Sequence, residues 1–128
     1  MAHILIIEDN EQNLYLSTFI LEKHGHRVSA ARDGAEGIRL AETLRPDLIL
    51  LDIQLPGMDG YAVAASLRGK PSLTRVPIVA VTSYAMAGDR ERVLAAGCNG
   101  YIEKPINPAT FLEQVLAHLP PDSSALDE

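Results

Sequence analysis

Asp52 closes a run of apolar residues from Leu48 to Leu51, and a Pro-Gly turn follows within the stretch LILLDIQLPGMDG. A carboxylate at the end of a buried strand is costly unless something there needs its charge, so Asp52 is the first candidate for chemistry. Three other apolar runs end equally abruptly. His3 to Ile7 gives way to Glu8 and Asp9, Ile78 to Val81 to Thr82 and Ser83, and the short pair Tyr101-Ile102 leads to Lys104. Carboxylates brought within about 4 Å of one another repel by roughly 4 kcal/mol per pair at an effective dielectric near 20. A hard divalent cation with oxygen ligands, Mg2+ or Mn2+, relieves that repulsion. Glu8, Asp9 and Asp52 are therefore the expected metal ligands, directly or through water. A metal, a carboxylate, a hydroxyl and a lysine are together the parts that move a phosphoryl group, whose charge is handled by positioning and neutralisation. In that chemistry Asp52 is the nucleophile that forms an aspartyl phosphate. Lys104 and the metal neutralise phosphoryl oxygens, and Thr82 donates a hydrogen bond to another.

Each residue alone has a plainer explanation. Glu8 and Asp9 can balance the dipole of a following helix, Asp52 can cap a turn, Thr82 suits a strand by its branching, and Lys104 suits a surface. Only their shared position at strand ends makes them a set, so the elements must place them together.

The elements follow from periodicity. His3–Ile7 is a strand, and Glu11 to His24 is a helix carried by Leu16, Phe19 and Ile20 and stopped by Gly25. Arg27 to Ala31 is a weaker strand, and Ala35 to Leu44 a helix ended by Pro46. Leu48 to Leu51 is apolar on both faces, as a central parallel strand must be. Asp59 is the N-cap of a helix through Val63 and Leu67 that Gly69 closes, with Asp59-Gly60 taken as turn and cap only. Ile78 to Ser83 is a fourth strand, Gly88 to Ala96 a helix capped by Gly97, Tyr101-Ile102 a fifth strand, and Pro108 to Leu119 the last helix. Five strand-helix alternations with short connections specify an α/β fold, a parallel sheet covered on both faces. All strand carboxyl ends then share one edge, where ligands bind in such sheets. The polar stretch 120–128 is expected to be a frayed tail.

Composition narrows the function. At 128 residues the chain is most simply one domain. Eleven basic against seventeen acidic side chains, a net charge of -6, argue against direct nucleic-acid binding. No apolar run reaches membrane-spanning length. The single cysteine, Cys98, forms no internal disulfide, which suits a reducing cytoplasm, and its expected role is packing. His3, His24, His26 and His118 show no metal-ligand spacing, while Tyr84 and Met86 are candidates for a partner surface or a cover for the core.

The motifs IIEDN, LILLDIQLPGMDG, VAVTSYAMAGD and YIEKPI, in that order, resemble the receiver domain of two-component response regulators, from His3 to about Leu119. The layout is most similar to single-domain regulators of the DivK and CheY type, and also to receivers fused to hybrid histidine kinases. The resemblance implies a flavodoxin-like (CheY-like) doubly wound five-stranded sheet of order 2-1-3-4-5 with five helices. Asp52 matches the family's phosphoacceptor and Glu8 and Asp9 its acidic metal pair, Glu8 in place of the commoner aspartate favouring a water-mediated contact. Gln54 matches the residue whose backbone carbonyl completes the metal shell. Thr82 matches the hydroxyl that senses the phosphoryl group, Tyr101 the switching aromatic and Lys104 the ion-pairing lysine. The Lys104-Pro105 bond matches one that is usually cis.

The expected function is thus a stand-alone receiver, phosphorylated from a phosphohistidine on a histidine kinase or phosphotransfer protein with Mg2+. It signals through the face of helix four, strand five and helix five, and is not a turnover enzyme. A haloacid-dehalogenase-type phosphatase would want a second acid where Gln54 stands. A nucleotide-binding Rossmann module would want a glycine-rich first loop instead of EDNEQN. A pseudo-receiver that only binds partners would not need the complete set of site residues.

Overall fold

The computed structural model describes residues 2–55, 57–83 and 87–119; Pro56, Tyr84, Met86 and the expected tail 120–128 lie outside the described residues. Five strands, β1 (His3–Ile7), β2 (Arg27–Ala31), β3 (Leu48–Asp52), β4 (Ile78–Thr82) and β5 (Gly100–Glu103), alternate with α1 (Glu11–Lys23), α2 (Gly34–Leu44), α3 (Gly60–Arg68), α4 (Ala87–Ala95) and α5 (Phe111–Leu116). All neighbouring strands pair in parallel, in the order β2-β1-β3-β4-β5.

Strand alternation divides the core in two. Leu5, Ile7, Ile49, Leu51, Ile78 and Ala80 face α2, α3 and α4, where they meet Ala41, Val63, Leu67 and Val93. Ile4, Ile6, Leu48, Leu50, Val79 and Val81 face α1 and α5, meeting Leu14, Leu21, Phe111 and Val115. Side chains that point to opposite faces at every step require residues apolar throughout, and every residue of β3 and β4 is buried.

Helix starts are set by side-chain caps. Asn10, Asp33 and Asp59 accept hydrogen bonds from the N–H groups of Asn13, Glu36 and Tyr61. Phe19, expected on the apolar face of α1, is 52% exposed, and the last helix also differs from the expectation. The last helix is shorter than Pro108 to Leu119, because Asn107 holds residues 108–110 in a turn. Its side chain accepts from the Ala109 N–H, its carbonyl from Thr110 and Phe111. At the other end the Leu119 N–H bonds back to Leu116 in a tighter turn. Between α3 and β4 a 3-10 turn, Pro71–Leu73, buries Leu73 fully, and the Arg68 guanidinium binds the Leu73, Thr74 and Gly97 carbonyls.

Gly60 is more than a turn residue. A Cβ there would lie 2.5 Å from both Cα and the carbonyl oxygen of Ile53, the residue after Asp52. Helix propensity alone would make Gly60→Ala stabilising by about 1 kcal/mol. The backbone contact reverses the sign, and a loss of about 2–3 kcal/mol is expected from overpacking, to be measured by urea denaturation. A stabilised variant would mean that α3 withdraws from β3 without cost.

Candidate functional site

Four strand ends build the site. Glu8 follows β1, its N–H extending the ladder to the Ala31 carbonyl at 2.9 Å, and its side chain is only 5% exposed. The Asn10 N–H donates to Glu8 Oε2 at 3.2 Å, so the residue that caps α1 also orients the carboxyl. Asp9 is exposed beside it. Asp52 ends β3 and is 3% exposed; the Gln54 N–H donates to its Oδ1 at 2.9 Å. Thr82 ends β4, buried to the same degree, and its carbonyl accepts from the Lys104 N–H at 2.8 Å. That bond, next to the cis Lys104-Pro105 peptide, sets the start of the lysine side chain. Lys104 Nζ then lies 3.2 Å from Asp52 Oδ1 and 3.5 Å from Glu8 Oε1.

One oxygen each of Glu8, Asp9 and Asp52 falls within 4.8 Å of the others. The electrostatics show the strain of this arrangement. The Glu8 carboxyl is pushed up to about 7, first by burial, then by its hydrogen bond to Asp52 and by the charge of Asp52, against the opposing pull of Lys104 and the Asn10 N–H. One lysine does not neutralise the acidic cluster. Hard oxygen donors and surplus negative charge at a strand edge fit a small divalent cation.

The structure brings Glu8, Asp9, Asp52 and Lys104 together and puts Thr82 at the adjoining strand end, one residue past the Asp52↔Val81 pairing. Tyr101 is placed elsewhere. It pairs with Ala80 within the sheet, packs half-buried against the α2, α3 and α4 side, and has the Arg90 guanidinium of α4 5.7 Å from its ring centre. Sequence reasoning missed the Gln54 side chain, whose Oε1 accepts from the Ser83 N–H at 3.0 Å. Its signal would have been a long amide two residues after the acceptor, opposite a strand end rich in donors.

This geometry and the comparisons agree: the chain belongs to the response regulator receiver domain family, which it matches over residues 4–116. It is 42% identical to the polar-differentiation response regulator DivK of Brucella anthropi over 116 residues, covering 91% of this chain and 94% of the relative. Among solved structures it is similar to the receiver domain of sensor histidine kinase PA1611 from Pseudomonas aeruginosa, which holds a magnesium ion in its active site cleft. There the TM-score is 0.83 with 38% identity, covering 91% of this chain and 96% of that one. The chemotaxis protein CheY4 of Vibrio cholerae superposes with a TM-score of 0.89 at 28% identity, covering 93% and 99%. Among the described residues no helix is long and apolar enough to cross a membrane.

Proposed function

We propose that Asp52 accepts a phosphoryl group from a phosphohistidine on a histidine kinase or phosphotransfer protein, and that residues 1–119 form the receiver unit that does so. A carboxylate oxygen of Asp52 bonds to phosphorus as the N–P bond breaks, and the electron pair leaves with the imidazole nitrogen, which takes up a proton. The observation that carries this reading is the buried Asp52 carboxylate held by Lys104 Nζ and the Gln54 N–H inside an acidic cluster. Glu8, Asp9, Asp52 and the Gln54 carbonyl would hold a Mg2+ or Mn2+, directly or through water, which when bound would supply charge neutralisation for the phosphoryl oxygens. Lys104 neutralises another oxygen, and Thr82 donates to a third.

Output then follows from a two-state shift in which Thr82 and the segment behind it move inward and Tyr101 follows. The face of α4, β5 and α5 suits protein contact. Leu94 on α4 and Leu116 on α5 are exposed by 47% and 40%, and Tyr101 links β5 to α4 through Arg90. Incubation with phosphoramidate, a small N–P donor, and MgCl2 is expected to add one phosphoryl group by intact mass, and to add none without the metal. A chain that stays unmodified under both conditions would favour a pseudo-receiver.

Glu8 gives a pH signature. Its carboxyl takes up a proton more readily in the folded chain than at its ordinary 4.5, so metal-free protein is expected to lose stability as pH rises from 4.5 to about 7. Divalent cation competes with that proton, so the rise in Tm on adding MgCl2 should grow across the same window. An equal rise at both ends would take the Glu8 proton out of the account.

A further inference from the structure

The proposed phosphoryl transfer uses only the backbone of Gln54, yet its side chain does something specific. Oε1 reaches from the segment after β3 to the Ser83 N–H at 3.0 Å. That N–H belongs to the same peptide plane as the Thr82 carbonyl, which accepts from the Lys104 N–H at 2.8 Å. Both polar ends of one peptide are therefore pinned, by the lysine's main chain on one side and by Gln54 on the other. Because the peptide is planar, Thr82 and Ser83 cannot be swung as a unit toward Asp52 without straining or breaking these bonds. Gln54 meanwhile donates its own N–H to Asp52 Oδ1, so a single residue senses the acceptor with its main chain and holds the end of β4 with its side chain.

We propose that the Gln54 side chain is a latch that keeps the Thr82-Ser83 peptide in the position of the unphosphorylated chain and must be released when Asp52 carries a phosphoryl group. This rests on the phosphoacceptor reading and adds a positioning residue to it: the Gln54 amide acts through Ser83. Both residues are exposed, so water competes for the bond and its net worth is small. A bond made in only one of two states shifts their ratio by its net worth, here about threefold.

The test uses the full chain and two variants. Gln54→Met keeps the side-chain length and removes the acceptor, while Gln54→Glu keeps an acceptor at the same reach. Solvent exchange of the Ser83 amide, read by NMR in unphosphorylated protein, is expected to quicken about threefold or more in Gln54→Met, with the Val79 and Val81 amides unchanged, and to stay near wild type in Gln54→Glu. Beryllium fluoride with MgCl2, a phosphoryl mimic, should bind about threefold tighter to Gln54→Met, since no latch has to be released. Unchanged Ser83 exchange in Gln54→Met overturns the latch, and so does faster exchange without tighter binding. A wild-type chain that takes up no beryllium fluoride overturns the acceptor reading, and the latch with it. Uptake by wild type with no gain in Gln54→Met counts against the latch alone.

Discussion

Asp52→Asn is expected to abolish phosphoryl incorporation from phosphoramidate while leaving the fold intact. The substitution changes almost no volume, and an amide oxygen can still accept from the Gln54 N–H that now donates to Oδ1 at 2.9 Å. What disappears is the nucleophile. The charge that faces Glu8 disappears too, and since that charge and the shared hydrogen bond help to push the Glu8 carboxyl up to about 7, Glu8 should titrate lower in the variant. Lys104 keeps Glu8 as its partner at 3.5 Å. Metal-free Asp52→Asn should therefore be at least as stable as wild type at about pH 8, where the wild-type carboxyls oppose each other. Intact mass after phosphodonor treatment reads the first effect and thermal unfolding the second. Incorporation at the wild-type level in a folded variant would move the acceptor to another residue.

Lys104→Met should give the second large effect. Methionine preserves much of the apolar stem and removes only the ammonium group. That group lies within 3.5 Å of both buried carboxyls, and its side chain is only 12% exposed. Removing one positioned cation from a transferring phosphoryl group should slow incorporation by about 10²–10³-fold at saturating Mg2+. The metal-free variant should also lose about 2–3 kcal/mol at about pH 8, because the buried carboxylates keep their backbone N–H donors but lose their cation. Since Lys104 is the larger of the two influences that pull Glu8 down, its loss raises the Glu8 carboxyl further, and the stability deficit should shrink as pH falls and the proton takes over the lysine's role. Stopped-flow phosphorylation and urea unfolding at several pH values separate the two effects. A variant with normal transfer and a pH-independent stability loss would leave Lys104 with packing alone.

The site was readable to different depths at different residues. Glu8, Asp9, Asp52, Thr82 and Lys104 could be grouped from the sequence because a parallel sheet puts every strand's carboxyl end on one edge, and the apolar runs marked where the strands end. Tyr101 was harder: periodicity places it on β5, but its half-buried seat beside Arg90 depends on how α4 lies over the sheet. Gly60 looked like punctuation after Asp59. Its real constraint is that a Cβ there would lie 2.5 Å from the backbone of Ile53, just after β3; that follows from how the start of α3 sits against this segment and has no local signal.

By itself the sequence determined the strand-helix alternation, the two-faced apolar strands and the list of chemical groups at one edge, because all three depend on side-chain type and on spacing along the chain. Tertiary structure alone decided how those groups meet. The 3.2 Å and 3.5 Å reach of Lys104, the elevated Glu8 carboxyl and the Gln54 bond to Ser83 join segments that lie far apart in the sequence. Burial and separation set the strength of a charge interaction, and neither exists until the strands are laid side by side. Asp52 was thus visible as a carboxylate out of place, and the packed sheet made it one side of a charged cluster.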